Sequence, residues 1–451
     1  MPMITYKSAA AGAKAAIKTV AANKYRSLVE RTWGFDAAEW RHCQEERFRA
    51  IYSRARTTVP YYRERPVDYP ELNPDCNISE FLSALPLLPK SIVREYNKEF
   101  WPAKSGLLRT QHRTSGSTGT PLVVSASLAE RALSEAILQS WFRRICGSTW
   151  PRTLSLSGFL SPPPGSQDLA WYDPVTRRVF LNIYSLSRAR RAEVLGVLRR
   201  FRPKLIFGYS SAIGELARLV NGDLEELKQN AVVVATAETM QERDRADMLG
   251  RLASKVFNLY GSQEGTHMAL ECEQRSWHIV PLTGIVEILD DNGYLVPAGS
   301  SGQVVVTSLS KPSMPLFRYL IRDVGVSTGY ANCRCGLGWP TMGQVEGRCE
   351  DQVRTPDGRR IGLLTDALMK QKNRELAKEA QIIQRSYEDF EVRLVLASRE
   401  KTLIERLERD LTLEMTKRLG YPVTPKFVYL DEIPRGARGK FKAVIVDFST
   451  D

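Results

Sequence analysis

From about residue 150 the chain alternates short β-type runs with helical ones. Thr153–Ser157, Leu205–Phe207, Val232–Ala235 and Val256–Leu259 read as strands, and Ser211–Val220 and Met240–Leu252 as helices. Strands interleaved with helices in this way build a mainly parallel sheet with crossover helices. Further on the pattern changes. Ile285–Leu289 and Val304–Leu309 are β runs with Asn292-Gly293 between them, a turn pair that favours a hairpin, so this part reads as antiparallel.

The flanks differ from this middle. Residues 1–25 are rich in Ala and Lys, with Ala15, Ile17, Val20 and Ala21 in helical spacing but no Trp, Leu or Phe before Leu28. Without large apolar anchors, the segment fits a loosely held or partner-packed helix better than one lying on a membrane surface. A second helix is expected from about Ala37 to Arg56, ending at Val59-Pro60, and Ser161–Ser166, with three consecutive prolines, is a loop. A boundary is expected near Glu350–Asp351. Beyond it Pro356-Asp357-Gly358 is a turn, Phe390–Ala397 and Phe427–Leu430 are β runs, and Leu403–Leu419 is an amphipathic helix. The expected organisation is α/β: a basic helical extension over 1–40, a large domain over 41–350 with parallel sheets and an antiparallel portion, and a small α+β domain over 351–451.

At 451 residues, 43% hydrophobic and 25% charged, the composition excludes a disordered, collagen-like or disulfide-dense chain. Apolar runs such as Ala231–Ala235 fall far short of the ~20 residues of a membrane span. The N-terminus shows no compact apolar core with a cleavage site, so the seven cysteines read as reduced thiols or metal ligands of a cytoplasmic protein. The net charge of +13 is concentrated in two places. Residues 1–26 carry Lys7, Lys14, Lys18, Lys24 and Arg26 with no acid, and residues 177–204 carry eight arginines and Lys204 against Glu193 alone. Such segments either stay solvated or attract anions: an acidic carrier protein, a polyanionic cofactor, an anionic membrane surface or, less in keeping with the rest of the chain, nucleic acid.

Four short segments carry polar chemistry. In Thr114-Ser115-Gly116-Ser117-Thr118-Gly119-Thr120-Pro121, glycines let the backbone approach an anion while N–H groups and hydroxyls donate to it, which suits a polyphosphate. The Gly-Lys-Ser/Thr ending of a Walker A loop is absent. Asn258-Leu259-Tyr260-Gly261-Ser262-Gln263-Glu264-Gly265 follows a predicted strand; its ring can stack on a nucleobase and its carboxylate can hold Mg²⁺ between phosphates. Arg318-Tyr319-Leu320-Ile321-Arg322-Asp323, with Gly347-Arg348-Cys349-Glu350-Asp351 further along, offers an Asp for ribose hydroxyls and arginines for phosphate or ribose. Lys440 lies in a Gly-Lys-Phe setting near the C-terminus. Taken singly, each has an ordinary alternative: a flexible turn, a strand end, a salt bridge, a surface charge.

In this order and spacing the four segments resemble those of the adenylate-forming ligase superfamily, whose members include acyl-CoA synthetases. Val59-Pro60-Tyr61-Tyr62-Arg63, Leu85-Pro86-Leu87-Leu88-Pro89-Lys90 and the stretch from Glu287 through Gly302–Thr307 to Pro315-Leu316-Phe317-Arg318-Tyr319 are similar to the phenylacetate–CoA ligase branch. Pro356-Asp357-Gly358-Arg359 and Gln381-Ile382-Ile383-Gln384 are similar to its CapK-type subgroup. The likeness spans residues 45 to 445. It implies ATP-dependent activation of a carboxylic acid as an acyl-AMP, followed by acyl transfer, with CoA the usual acceptor and an amine, sugar hydroxyl or carrier protein the alternatives. It also implies that Ser115, Gly116, Ser117, Thr118, Gly119 and Thr120 hold the β- and γ-phosphates, with Thr118 counted among the catalytic groups. Glu264 would hold Mg²⁺; Tyr260, with Gly261, Ser262, Ala237 and Glu238, would lie by the nucleotide; Asp323 would bind ribose, assisted by Arg348. Asp351 would be the hinge of a mobile lid domain, and Lys440 would reach the α-phosphate and the substrate carboxylate. The acid pocket would be lined between Phe207 and Tyr260, including Tyr209, Ser210 and Thr236. Two positions depart from the family pattern: Leu320 stands where an Arg is usual, and Glu350 where Asp is frequent.

Cys272 and His278 lie on one segment, and Cys333-Arg334-Cys335-Gly336 is a tight turn. Three thiols and one imidazole suit tetrahedral structural zinc, with His267 the alternative imidazole and free thiols the alternative state. Similar positions occur in the same ligase branch. A closed four-ligand site has no open position, which implies no catalytic part. Cys43, Cys76, Cys146 and Cys349 read as small hydrophobes. With four histidines in all, and His42 and His112 in polar surroundings without partners, a Ser-His-Asp hydrolase is not indicated. The competing class is a zinc-containing basic binding module without catalysis.

Overall fold

A computed structural model describes residues 4–6, 9–103, 109–113, 122–157, 166–237, 240, 242–290, 292–345, 353–357, 360–361, 373, 376–431, 433–434 and 444–448. The chain opens with strand β1 (Ile4–Tyr6), helix α1 (Ala9–Arg31) and helix α2 (Ala37–Thr58). Asp36 starts α2 with a capping box: its carboxylate takes the N–H groups of Ala38 and Glu39, and Glu39 reaches back to the Asp36 N–H. Short helices α3 (Pro60–Arg63), α4 (Ile78–Ala84) and α5 (Lys90–Glu95) follow. A ribbon of β2 (Arg109–Arg113) and β3 (Val123–Ser127) then leads into α6 (Leu128–Cys146). Ser127 and Glu130 form a second capping box there, and Gly147, at φ +72°, ends the helix in the left-handed conformation.

The predicted alternation comes next: β4 (Thr153–Leu156), β5 (Ala170–Asp173), β6 (Arg178–Leu181), α7 (Arg191–Phe201), β7 (Leu205–Tyr209), α8 (Ser210–Val220), α9 (Glu225–Asn230), β8 (Val232–Thr236), α10 (Glu242–Arg251) and β9 (Lys255–Ser262). After β9 come β10 (Thr266–Glu271), β11 (Trp277–Ile279), β12 (Gly284–Leu289), β13 (Ser301–Ser308), β14 (Tyr319–Val326) and β15 (Thr341–Met342). Among the described residues one ten-stranded sheet runs β1-β5-β6-β4-β7-β8-β9-β10-β11-β15. Its middle, β6-β4-β7-β8-β9, is parallel, and β10, β11 and β15 continue it antiparallel. The parallel part is coated by α7, α8 and α10 through an apolar cluster that includes Ile206, Val233, Leu198, Leu216 and Met248.

β12, β13 and β14 form the expected antiparallel sheet. Asn292-Gly293 does turn the chain: Gly293 is at φ +87°, and Leu289 bridges Leu295 on the way back. A two-residue hairpin into the next long strand is not what forms, however. The returning chain lies against β12 only as far as Val296, whose N–H donates to the Ile288 carbonyl, and a second turn at Pro297–Ser300 precedes β13.

The N-terminal segment is held by the body of the protein. β1 adds to the sheet edge beside β5, and α1 packs along α6, burying Ala22 and Val29 among Leu133, Ala136 and Ile137. Arg26 donates to Gln139, and Glu30 pairs with Arg143 at 3.0 Å. Among the described residues no helix is long and apolar enough to cross a membrane.

Toward the C-terminus, β16 (Val353–Arg354) pairs with β17 (Arg360–Ile361). Among the described residues, β18 (Ala377–Gln384), β19 (Phe390–Leu396), helix α11 (Lys401–Leu419), β20 (Lys426–Tyr429) and β21 (Val444–Val446) build a four-stranded sheet in the order β20-β19-β18-β21, with α11 against it. Leu407, Leu411 and Met415, four residues apart on α11, bury against Ile382, Phe390, Val392 and Leu394.

Candidate active site

Part of the predicted nucleotide set lies at the carboxyl edge of the parallel strands. Tyr260 is the sixth residue of β9, and Glu264 sits in the turn between β9 and β10. The Ser262 hydroxyl takes the Gly265 N–H at 2.8 Å, which closes that turn around Glu264. On the neighbouring strand end, Ala237 follows β8 with φ +69°, a left-handed conformation uncommon for a residue bearing Cβ, and Thr236 donates its hydroxyl to the Leu259 carbonyl. Asp323, on β14 of the other sheet, receives the Tyr260 hydroxyl at 2.8 Å. Tyr260, Glu264 and Asp323 therefore share one region, although 59 residues separate Glu264 from Asp323. Ser115–Thr120, Glu238, Arg348, Asp351 and Lys440 lie outside the described residues, so the phosphate loop, hinge and lid lysine have no described place in this geometry.

The charges around Glu264 were not read from the sequence. Its carboxylate is buried and pairs with the buried Lys90 at 2.9 Å. Lys90 is delivered by backbone pairing: the Leu88 N–H donates to the Arg318 carbonyl, the Leu320 N–H to the Leu88 carbonyl, and Pro89 then starts α5 with Lys90 as its first residue. A second buried lysine, Lys311, donates to the Gln263 carbonyl, one residue before Glu264. The Tyr319 hydroxyl lies 3.4 Å from the same Glu264 oxygen that meets Lys90. Burial pushes the Glu264 carboxyl up, but the Lys90 charge and hydrogen bond, with Lys311 in support, outweigh it and hold the group below the usual carboxylate range. Burial pushes the Lys311 ammonium down to about 8, against the pull of Glu130 and Glu264. Glu130, the capping residue of α6, also accepts the Ser313 N–H at 2.7 Å, so it joins the end of β3 to the Lys311 segment. No local signal singles out these lysines: Lys90 follows Leu-Pro and Lys311 stands between Ser310 and Pro312, both settings that read as surface.

Arg318 is spent on structure. Held at φ +46°, it sends its guanidinium to the Ser83 and Leu85 carbonyls at 2.7 and 2.8 Å and pairs with Glu287 at 3.4 Å.

A second cluster lies at the far end of β10. The ligand atoms of Cys272, His278, Cys333 and Cys335 all fall within 4.8 Å of one another. Cys272 and Cys333 sulfurs are 3.6 Å apart, and Cys335 Sγ is 3.2 Å from His278 Nε2. Ligands on a tetrahedral zinc lie about 3.8 Å apart for two thiolates, so the cage has the size of one such ion. His278 Nδ1 donates to the Trp339 carbonyl at 3.2 Å, which leaves Nε2 facing the thiols, and burial pushes its imidazole down to about 4, keeping it neutral. The Gln274 and Leu337 N–H groups each point at a cysteine sulfur at 3.4 Å. Arg144 donates to the Cys335 carbonyl, while Gly338 N–H and Trp339 Nε1 donate to Trp33 and Thr32 at the end of α1. A Cβ at Gly338 would meet the Phe35 carbonyl oxygen at 1.7 Å, so this close docking needs glycine.

Residues 353–447 match the family model described as the CapK C-terminal domain. The chain is 27% identical over 331 residues to phenylacetate-coenzyme A ligase of Thermus thermophilus, covering 69% of this chain and 71% of that one. It is 21% identical over 417 residues to protein CapK of Staphylococcus aureus, covering 89% and 88%. The chain is thus similar to adenylate-forming ligases of the phenylacetate–CoA ligase and CapK type. Its fold is that of 2-hydroxyisobutyryl-CoA ligase, whose structure with 2-HIB-AMP and CoA superposes with a TM-score of 0.61 at 20% identity, covering 93% of this chain and 92% of that one.

Proposed function

We propose that this chain is an ATP-dependent acid–CoA ligase. A substrate carboxylate oxygen attacks the α-phosphorus of ATP and pyrophosphate leaves; the CoA thiolate then attacks the acyl carbon of the acyl-adenylate and AMP leaves. The observation that carries this reading is the convergence of Tyr260, Asp323 and Glu264 beside two buried lysines at one edge of the parallel sheet. Asp323, held by the Tyr260 hydroxyl, presents acceptor oxygens to ribose, while Tyr260, Ala237, Glu238, Gly261 and Ser262 border the base. Ser115–Thr120 cradle the β- and γ-phosphates, with Thr118 donating to them, and Arg348 assists Asp323. The small domain turns about Asp351 and brings Lys440 to the α-phosphate and the carboxylate. Lys90 and Lys311 keep Glu264 ionised and offset the charge of a polyphosphate, whose desolvation is otherwise costly.

The donor set around Glu264 fits Mg²⁺, which takes few carboxylates and completes its shell with phosphate oxygens. When bound, the ion neutralises charge developing on the transferred phosphoryl oxygens. The Cys272, His278, Cys333 and Cys335 cage fits a closed structural zinc with no open position. The acid lies among residues between Phe207 and Tyr260, where Tyr209, Ser210 and Thr236, a mix of aromatic and small side chains, admit an aryl acid.

The test is pyrophosphate release from ATP·Mg²⁺ over a panel of aryl, fatty and amino acids, with and without CoA, in wild type and Lys440→Ala. Acid-dependent release that collapses in the variant is the expected result, and multiple turnovers only with CoA identify the acceptor. A second reading keeps adenylation but transfers the acyl group to an amine or sugar hydroxyl, the acceptor that a polysaccharide-pathway setting of the CapK type would suggest. Turnover with such an acceptor in place of CoA would select it. No ATP binding would overturn both.

A further inference from the structure

We propose that the amino-terminal edge of the parallel sheet, opposite Tyr260 and Glu264, docks on an anionic phospholipid surface. Backbone bonds line up the cations along this edge. Thr153 N–H donates to the Arg177 carbonyl at 3.1 Å, Lys204 N–H to the Arg152 carbonyl at 2.9 Å, and Val232 N–H to the Lys204 carbonyl at 3.0 Å. Arg177, Arg152 and Lys204 therefore begin neighbouring strands at the sheet spacing of roughly 4.8 Å. The last turn of α7 adds Arg199 and Arg200, and Arg202 follows, its carbonyl accepting Arg152 Nε at 3.1 Å. Among the described residues the one ion pair on these six cations is a loose contact of Arg202 with Glu226 at 3.7 Å, between two exposed side chains.

A row of like charges without neutralising acids works against the fold, and a partner that brings negative charge removes the cost. The helix dipole accounts for cations at the end of α7 but not for Arg152, Arg177 or Lys204 at strand starts. Apolar side chains stand among the charges. Val175, two residues before Arg177, is 46% exposed, and Trp150, two residues before Arg152, is half-buried. A bilayer interface takes both kinds of group: arginine forks pair with lipid phosphate, and Trp and Val enter the boundary below it. A nucleic acid backbone or an acidic protein face matches only the charge. Docked by this edge, the enzyme keeps the carboxyl ends of β7, β8 and β9, where Tyr209, Thr236 and Tyr260 lie, turned to solution. This inference stands apart from the catalytic reading, because its readout is binding.

The experiment is sedimentation of the full-length, metal-loaded protein with phosphatidylcholine vesicles, with and without phosphatidylglycerol. Binding is expected only with the anionic lipid, weakening as salt rises. Arg199→Gln with Arg200→Gln should lower partitioning about five-fold per charge removed, with pyrophosphate release in solution unchanged. Lys14→Gln with Lys18→Gln should bind as wild type. No binding to anionic vesicles, equal binding to neutral ones, retention in the arginine variant, loss confined to the lysine variant, or capture by heparin or an acidic protein without vesicle binding would each overturn the proposal.

Discussion

The β9–β10 ribbon buries a glutamate at each end, and the two are partnered differently. At the far end Glu271 takes the Arg245 guanidinium on both oxygens, at 2.8 and 2.9 Å, and Arg245 spends another N–H on the Val256 carbonyl. Burial raises the Glu271 carboxyl despite that partner. At the tip Glu264 faces Lys90, with Lys311 one carbonyl away, and is held below the usual range. One nitrogen, Nη2, spans both oxygens while Nη1 holds the Val256 carbonyl, and this closes the first site. An ammonium has three donors, so among the described residues the lysines keep hydrogen-bonding capacity for a further ligand. A buried carboxylate among surplus lysines is thus arranged for a polyanion, whereas one clasped by a single arginine is part of the frame.

The comparison breaks most visibly if both glutamates are neutralised. Glu264→Gln and Glu271→Gln each strand a buried cation, and each should cost about 3–5 kcal/mol of stability. They should part in function. Per folded molecule, Glu264→Gln should lower acid-dependent pyrophosphate release by at least about 100-fold, and Glu271→Gln should change it little. ATP·Mg²⁺ should raise the melting temperature of the Glu271 variant and not that of the Glu264 variant. Equal losses of activity would mean that the tip is no more than frame.

If the far-end cage holds zinc, the next effect in size is its removal. Chelation, or Cys335→Ser, should lower the melting temperature on the order of 10 °C. It should also expose the Thr32–Phe35 segment to protease, because Gly338 and Trp339 hold that segment from within the cage's own loop. Purified protein without zinc by elemental analysis, and with an unchanged melting curve, would sink the structural-metal reading.

The same contrast shows what the amino-acid sequence makes legible. The parallel strands were readable because Val232–Ala235 and its neighbours are continuous apolar runs between helices, and the ribbon tip because Tyr, Gly and Glu stand at fixed spacing. The cysteine–histidine cage was readable because its ligand types are few in the chain. Lys90 was not, since its partner lies 174 residues away and a lone lysine after Leu-Pro reads as surface. The Ala-rich segment over 1–25 reads as a helix, loosely held or partner-packed, but its seat is not legible: it packs on α6 of the same chain, where small side chains let Ala22 sit buried. β18 was noted only through the resemblance of Gln381–Gln384, because its apolar alternation is interrupted by Glu379 and Gln381.

A smaller effect separates the tyrosine at the tip from its neighbours. Tyr260→Phe removes the hydroxyl from Asp323, a hydrogen bond to a charged group worth about 1.5–3 kcal/mol. If Asp323 holds ribose, the KM for ATP should rise about 10-fold or more with a smaller change in kcat. A fall in kcat with KM unchanged would place Asp323 away from the ground-state nucleotide.

The smallest effect is one of pH, and its sign distinguishes ligand chemistry from stability. Burial depresses Lys311 from 10.5 to about 8, so between these values the unfolded chain binds more protons than the folded one. The fold therefore gains stability from this group as pH rises from 8 toward 10.5 and loses it as pH falls back. Activity should move the opposite way. Only the ammonium offsets a polyphosphate, so kcat/KM for ATP should fall about threefold from pH 7.5 to 8.5 as the group loses its proton. Lys311→Met should lack that limb while starting from a lower plateau. An alkaline decline that persists in Lys311→Met belongs to another group, and a decline accompanied by a falling melting temperature is unfolding. Lys311 is assigned to the nucleotide side of the ribbon only if activity falls across an interval in which the protein grows more stable.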